Sequence, residues 1–186
     1  MIFVLAGPSG SGKTTQAERL SQRDDFKRII TCTTRPMRQG ESHGVDYFFL
    51  DKDQFQTLQD AGELLAVTTY SNNHYGVPKQ NLLPFIDSTD EHLVMVLDLE
   101  GVKVLTNMGA VCIRLTLDRD TLKQRMEERG DETANIEARL NDGKGIAPYA
   151  SFTVDSRDPI DANAEKISKY VDACVHKKKE QRSLSL

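Results

Sequence analysis

Residues 7–15 read "GPSGSGKTT", directly after the apolar run "MIFVLA" at 1–6. The stretch fits G-x-x-x-x-G-K-[ST], with Gly7, Gly12, Lys13 and Thr14 at the fixed positions. A chain of this length meets that spacing by accident on the order of 1% of the time. Its placement between an apolar run and a helix-like stretch makes accident a poorer explanation still. The physics demands that placement, because glycines let successive N–H groups turn inward and a helix N-terminus adds a favourable dipole for phosphate. Ser9, Gly10, Ser11 and Thr15 complete the cradle. Lys13 would reach the β- and γ-phosphates of a nucleoside triphosphate, and the Thr14 hydroxyl would sit on Mg2+.

Working outward, short apolar runs alternate with helix-like stretches, the pattern of a parallel α/β sheet. Core strands are predicted at 1–6, 27–31, 92–98, 110–117 and 151–155, and helices at about 13–22, 118–128, 133–142 and 160–176. The last opens at Asp158 and Pro159, a good start signal. Between 33 and 90 the pattern changes. "DYFFL", "LLAVTTY" and "HYGV" read as short strands around a helix at 51–60, the composition of a small mixed lobe. The basic tail "HKKKEQRSLSL" is expected to fray in solvent.

The bulk composition bounds the rest. With 186 residues one domain is the default, and 38% hydrophobic and 28% charged residues make an ordinary soluble balance. A net charge of −4 offers no global attraction to nucleic acid or to an anionic membrane, so phosphate binding must be local. Cys32, Cys112 and Cys174 are odd in number and in no metal spacing, which favours reduced thiols and a cytoplasmic location. "MIFVLA" is too short for a signal peptide or a membrane span. His43, His74, His92 and His176 show no spacing for metal or acid–base work, although His74 lies beside Tyr75.

An acidic partner for the metal should end another core strand. Asp98 in "VMVLDLEG" does so, and it can also cap the segment that follows. The arginines are unusually concentrated. Arg35 and Arg38 lie in "TTRPMRQGESHGVDY" (33–47), too polar for a strand and too broken by Pro36, Gly40 and Gly44 for a helix. Arg125, Arg129 and Arg139 lie in "LKQRMEERGDETANIEARL". Arg125 and Arg129 are four apart and share one helix face. Transfer between two polyanions needs such cations, and closure of a mobile lid keeps water out.

These segments resemble the guanylate kinase family from the first strand to about residue 140. The family's T-T-R-x-P-R-x-G-E-x-x-G-x-D-Y-x-F, Y-G-[TS] and R-x-x-x-R-G segments read here "TTRPMRQGESHGVDYFF", "YGV" and "RMEERG", and "EARL" ends the second lid helix. The resemblance implies an α/β P-loop kinase fold: a parallel sheet core flanked by helices (1–31 and 90–186), an inserted acceptor-binding lobe (32–89) and a helical lid (about 125–143). It implies that Arg35, Arg38, Tyr47 and Tyr75 grip an acceptor monophosphate and that Thr31 and Asp98 line its pocket. Arg125, Arg129 and Arg139 would surround the transferred phosphate. Lys13, Arg35 and the lid arginines would be catalytic, Thr14 and Asp98 would hold the metal, and ATP and Mg2+ would be required. Small-molecule nucleotides would be the partners of a monomer or homodimer.

The base-reading segment departs from the family. Ala66 stands where the family has a glutamate that accepts from guanine, Val77 stands where it has Ser or Thr, and the proline lies next to Arg35. Glu63, at an odd strand offset from Ala66, should point to the other face. The leading expectation is phosphoryl transfer from ATP to GMP or dGMP. Ribose 1,5-bisphosphate or another, modified deoxynucleoside monophosphate are the alternative acceptors. A non-catalytic phosphopeptide-binding module is the alternative of another class, against which the intact phosphate loop and lid arginines weigh. Adenine contacts are expected around 154–159.

Overall fold

The structure is a computed structural model that describes residues 1–184 except 71, 87, 89 and 132, with the side chains of 133–135 also left aside. In chain order the strands are β1 (Ile2–Ala6), β2 (Phe26–Arg28), β3 (Cys32–Thr33), β4 (Phe48–Phe49), β5 (Leu64–Tyr70), β6 (Asn73–Pro78), β7 (His92–Val96), β8 (Val111–Thr116) and β9 (Ala150–Asp155). The helices are α1 (Lys13–Ser21), α2 (Lys52–Asp60), α3 (Lys79–Leu82), α4 (Leu99–Asn107), α5 (Arg119–Glu128), α6 (Thr133–Arg139) and α7 (Ile160–Ser183).

Five strands form a parallel sheet in the order β2-β7-β1-β8-β9. β1 is central and buried along its whole length, which is why its sequence is an unbroken apolar run. Ile2, Val4 and Ala6 pack with Met95, Val102 and Leu105 under α4, while Phe3 and Leu5 pack with Ala17, Ile167 and Val171 under α1 and α7. Each of the larger side chains among them, fully buried, contributes about 1.5–3 kcal/mol. Parallel register sets Leu5 beside Val96 and Ala6 beside Arg114, so the loops after β1, β7 and β8 leave from one edge of the sheet. That edge is where open α/β sheets bind ligands.

A second, four-stranded sheet has the order β4-β3-β6-β5. α2 packs behind it through Phe55, and its start is fixed by a capping box between Asp51 and Gln54. β5 carries an irregularity between Leu65 and Thr68, with Ala66 at a φ of +50°.

Several boundaries differ from expectation. The strand foreseen at 27–31 covers only Phe26–Arg28, because the chain then leaves the first sheet and Cys32 opens the second. "DYFFL" supplies just Phe48–Phe49. α4 was not foreseen; its start is hidden in a continuous apolar context and signalled only by the Asp98 cap. α6 stops at Arg139 rather than 142, where the glycine-rich turn "NDGKG" begins. The tail is not frayed up to Ser183, since lysine and arginine are good helix formers and Arg182 suits the C-terminal end of the dipole. The last two tail residues and residue 132 of the expected lid lie outside the described residues. Among the described residues no helix is long and apolar enough to cross a membrane. Cys32, Cys112 and Cys174 are free thiols, and burial pushes the first two up to about 11.

Candidate active site

The 7–15 loop leaves β1 and enters α1, as the spacing requires. Gly7 has a φ of +148°, and a Cβ there would sit 2.2 Å from the Leu115 carbonyl oxygen, so the loop can follow this path only with glycine. No side chain caps α1 and no acid lies in its first turn, leaving its positive end available to an anion. The Lys13 ammonium donates to the Pro8 carbonyl at 2.7 Å. It keeps a little accessible surface yet is densely enclosed, and burial pushes it down to about 8, with Arg129 adding to the effect and Asp142 opposing it. The buried Ser11 hydroxyl has no hydrogen-bond partner among the described residues. Thr14 is exposed at the helix start, and Thr15 follows it half-buried. A buried cation, an unpartnered hydroxyl and an uncapped helix end together suit a polyphosphate.

Asp98 ends the segment after β7 and faces open space. One of its oxygens accepts from Gly101 N at 2.9 Å, capping α4, and the other accepts from the Thr68 hydroxyl at 2.6 Å. Each oxygen keeps a lone pair for a further donor or a metal. Among the described residues no three carboxylates, histidines or cysteines cluster as a metal site. Mg2+, which keeps several waters, fits such a sparse set of Thr14 and Asp98.

On the second sheet, Arg35 donates to Glu41 at 2.7 Å and to the Pro36 carbonyl at 2.8 Å, and lies over the Tyr47 and Phe49 rings at 5.5 and 5.6 Å. The other Glu41 oxygen accepts from Arg38 N at 2.8 Å, so one carboxylate ties both arginines into a single loop. Tyr47 meets Tyr75 edge-on at 6.2 Å. Burial raises the Tyr47 hydroxyl above its ordinary range, keeping it a donor. Thr31 is buried, and its carbonyl accepts from Phe48 N.

The half-buried Arg38 guanidinium has no ion-pair partner among the described residues. Burial, then the charges of Arg35, Arg139 and Arg129, push it below the ordinary arginine range. The arginines of the two separate segments therefore share one field. Arg125 donates to the Gly10 carbonyl at 3.1 Å and Arg129 to the Ser9 hydroxyl at 3.3 Å, which lays α5 against the 7–15 loop. Arg129 and Arg139 both pair with Asp131. The buried residues Leu122, Met126, Ile136 and Leu140 hold α5 and α6 together beneath them.

The other residues singled out from the sequence lie as follows. His74 stacks on Phe55 at 5.5 Å, on the α2 side of the sheet. Glu63 is exposed and lines a separate cavity of about 300 Å3 with Cys32, His43 and Phe48, away from the arginines. Simple alternation could not have placed it, because the β5 irregularity breaks the strand's period. Ala66 packs half-buried against the core, and Val77 is fully buried in it. At 154–159, Val154 is a core residue while Asp155 is held by Arg157.

Sequence reading missed Glu41, Asp131, Thr68 and Asp142. Asp142 lies in the 141–145 turn, its carboxyl raised by burial, against the nearby Tyr70 hydroxyl and the charges of Lys13 and Arg139; Asp98 adds to the rise. None of these acids stands in a spacing that announces a partner. Only Glu41, inside "RPMRQGE", lay close enough to its arginines to be suspected.

A model of the guanylate kinase family matches residues 1–172. The chain is 30% identical to a guanylate kinase of Clostridioides difficile (strain 630) over 199 aligned residues, covering 97% of each. To a guanylate kinase of Enterococcus faecalis (strain ATCC 700802 / V583) it is 38% identical over 149 residues, 75% of this chain and 71% of that one. The crystal structure of guanylate kinase from Anaplasma phagocytophilum matches with a TM-score of 0.71 at 25% identity, over 93% of this chain and 85% of that one.

Proposed function

The chain belongs to the guanylate kinase family, a family of phosphotransferases, and on that footing we propose that it moves the γ-phosphoryl group of ATP to GMP or dGMP. The observation that carries the reading is the arginine cluster at the 7–15 loop: Arg125 and Arg129 hydrogen-bond Gly10 and Ser9 of that loop, and half-buried Arg38 lies in the field of Arg35, Arg129 and Arg139. A cluster of like charges is unfavourable by itself and is stabilised by a polyanion.

In this reading the 7–15 backbone and Lys13 hold the donor phosphates. Arg35 and Arg38, fixed by Glu41, grip the acceptor phosphate with Tyr47 and Tyr75. Arg125, Arg129 and Arg139 spread over the transferred group and offset its charge. Segment 32–89 acts as the acceptor lobe and 125–143 as the lid that excludes water. Thr14 and Asp98 would hold Mg2+, which would supply charge neutralisation for the phosphates. Transfer is in line, with no covalent enzyme intermediate, since positioning and charge carry the reaction. Asp98, tied to β5 by Thr68, offers the acceptor a carboxylate that Ala66 and Val77 do not.

The test is Mg-ATP-dependent ADP formation with GMP, dGMP, AMP, CMP, UMP, dTMP, 5-hydroxymethyl-dUMP and ribose 1,5-bisphosphate. Preference for GMP or dGMP is expected. Preference for another acceptor would overturn the guanine assignment and leave the clamp standing. Lys13→Ala and Arg35→Ala should each lower turnover by a factor on the order of 10² or more without moving the melting midpoint by more than a few degrees. Near-wild-type rates in either would remove that residue from the site.

A further inference from the structure

Asp131 has no place in the scheme above, yet its side chain is more enclosed than that of Glu41, the other acid paired with these arginines among the described residues. It follows Gly130 at the break between α5 and α6, and its backbone N–H is fixed to the carbonyl of the buried Met126 at 3.0 Å. Its side chain is 7% exposed, against 43% for Arg129 and 15% for Arg139. One carboxylate serves both guanidiniums. Arg129 donates through Nε at 3.2 Å and through Nη2, and Arg139 donates through Nη1 at 2.8 Å. Burial works against the Asp131 charge, but the Arg129 hydrogen bonds and the charges of Arg129, Arg139 and Arg38 hold the carboxyl below its ordinary range.

The geometry bears on what the arginines can still do. A guanidinium has five N–H donors. Asp131 takes a side-on grip of Arg129 through Nε and Nη2, and Nη2 also reaches Ser9. Arg139 meets Asp131 through Nη1, while its buried Nε has no partner among the described residues. The carboxylate thus leaves donors of both arginines unused, fixes the plane of Arg129 and anchors one end of the Arg139 guanidinium. A long arginine side chain loses much rotamer freedom when ordered, and two of them from different helices must be ordered together.

We propose that Asp131 is a positioning residue for phosphoryl transfer, which aligns Arg129 and Arg139 across the helix break so that both meet the transferred phosphoryl group at once. The proposal rests on the phosphotransfer reading given above. Asp131 acts through the arginines and touches neither substrate. Its removal is felt in the transition state, where charge spreads over the phosphoryl oxygens, more than in ground-state binding.

The experiment measures Asp131→Asn in the full chain, with the acceptor the wild type uses best. The expected result is a kcat about 10–100-fold lower, with KM for both substrates and the ATP dissociation constant held within about threefold. The melting midpoint should stay within a few degrees. Combined with Arg129→Met, Asp131→Asn should add little, because the two act as a unit. A kcat at or above wild type would overturn the proposal and make Asp131 an internal anion that phosphate must displace. Full additivity with Arg129→Met would overturn it too. Should the asparagine variant fail to fold, Asp131→Glu keeps the charge and moves it by one methylene. A kcat at least about fivefold lower in that folded variant supports alignment, and a wild-type kcat sinks it. Wild-type turnover on no acceptor would remove the phosphotransfer reading itself, a result distinct from an active wild type with an equally active variant.

Discussion

Lys13 is a lysine held well below its ordinary ionisation range by burial, in a loop that offers it a carbonyl at 2.7 Å. The sign of the consequence follows from linkage. Its folded value of about 8 lies below the 10.5 of an ordinary lysine, so between those values the ligand-free folded chain binds fewer protons than the unfolded one. This group therefore adds stability as pH rises from about 8 to 10.5, and withholds it at lower pH. A bound triphosphate favours the charged form and reverses the depression. ATP binding at pH near 8.5 should take up protons, whereas at pH near 6.5 Lys13 is already charged and contributes none. Calorimetry in two buffers of different ionisation enthalpy reads the uptake directly; none at the higher pH would mean that Lys13 does not meet the phosphates. Glu41 shows how far single residues can be read. Its proximity to Arg35 and Arg38 in sequence is visible, but its use of both oxygens on one loop is visible only in three dimensions.

At the scale of elements, the path of the strand–loop–helix around Gly7–Thr15 is set locally, by Gly7 against the adjacent β8 strand and by the Lys13–Pro8 hydrogen bond. The segment proposed as the lid is different. α5 is marked by its Asp118 cap and its arginine spacing, but the turn at 141–145 carries no motif. Gly143 has a φ of +81°, and a Cβ there would lie 2.9 Å from Pro8 N and 3.0 Å from the Gly7 carbonyl carbon. Both facts require glycine, because the obstructing atoms are backbone and a left-handed conformation is strained for other residues. Gly143→Ala should push the turn off the phosphate loop and raise KM for ATP severalfold, with a smaller effect on KM for the acceptor. An unchanged ATP KM would show that the turn does not support the loop.

Across the whole molecule, two sheets carry the two halves of the proposed site. The parallel sheet is the stability reservoir, since β1 is buried on both faces. Phe3 is fully buried and packs on Phe26 with ring centres 5.6 Å apart. Phe3→Ala should cost about 3–5 kcal/mol, seen as a lower urea midpoint at unchanged slope. A loss below about 1 kcal/mol would mean that the core collapses around the cavity. The strands and helices of this sheet were legible because each is a run of apolar residues with a short period, ended by its own glycine, proline or cap. α4 and the helical tail were less so, the first for want of contrast with the strand before it and the second because charge was read as disorder. The second sheet was legible in outline only: its strands are two to seven residues long, and pairing over distance fixes their ends. By itself the sequence determined the strand–loop–helix at 1–21, the apolar strands of the central parallel sheet and the presence of two arginine groups, because those depend on spacing within one segment. The tertiary structure alone decided that the two arginine groups share one field, that Asp131 joins α5 to α6, that Thr68 and Asp98 meet across 30 residues, and that Ala66 sits at a break in β5. Those features arise from which distant segments the core brings together, and charge and hydrogen bonding act on distance in space, not along the chain.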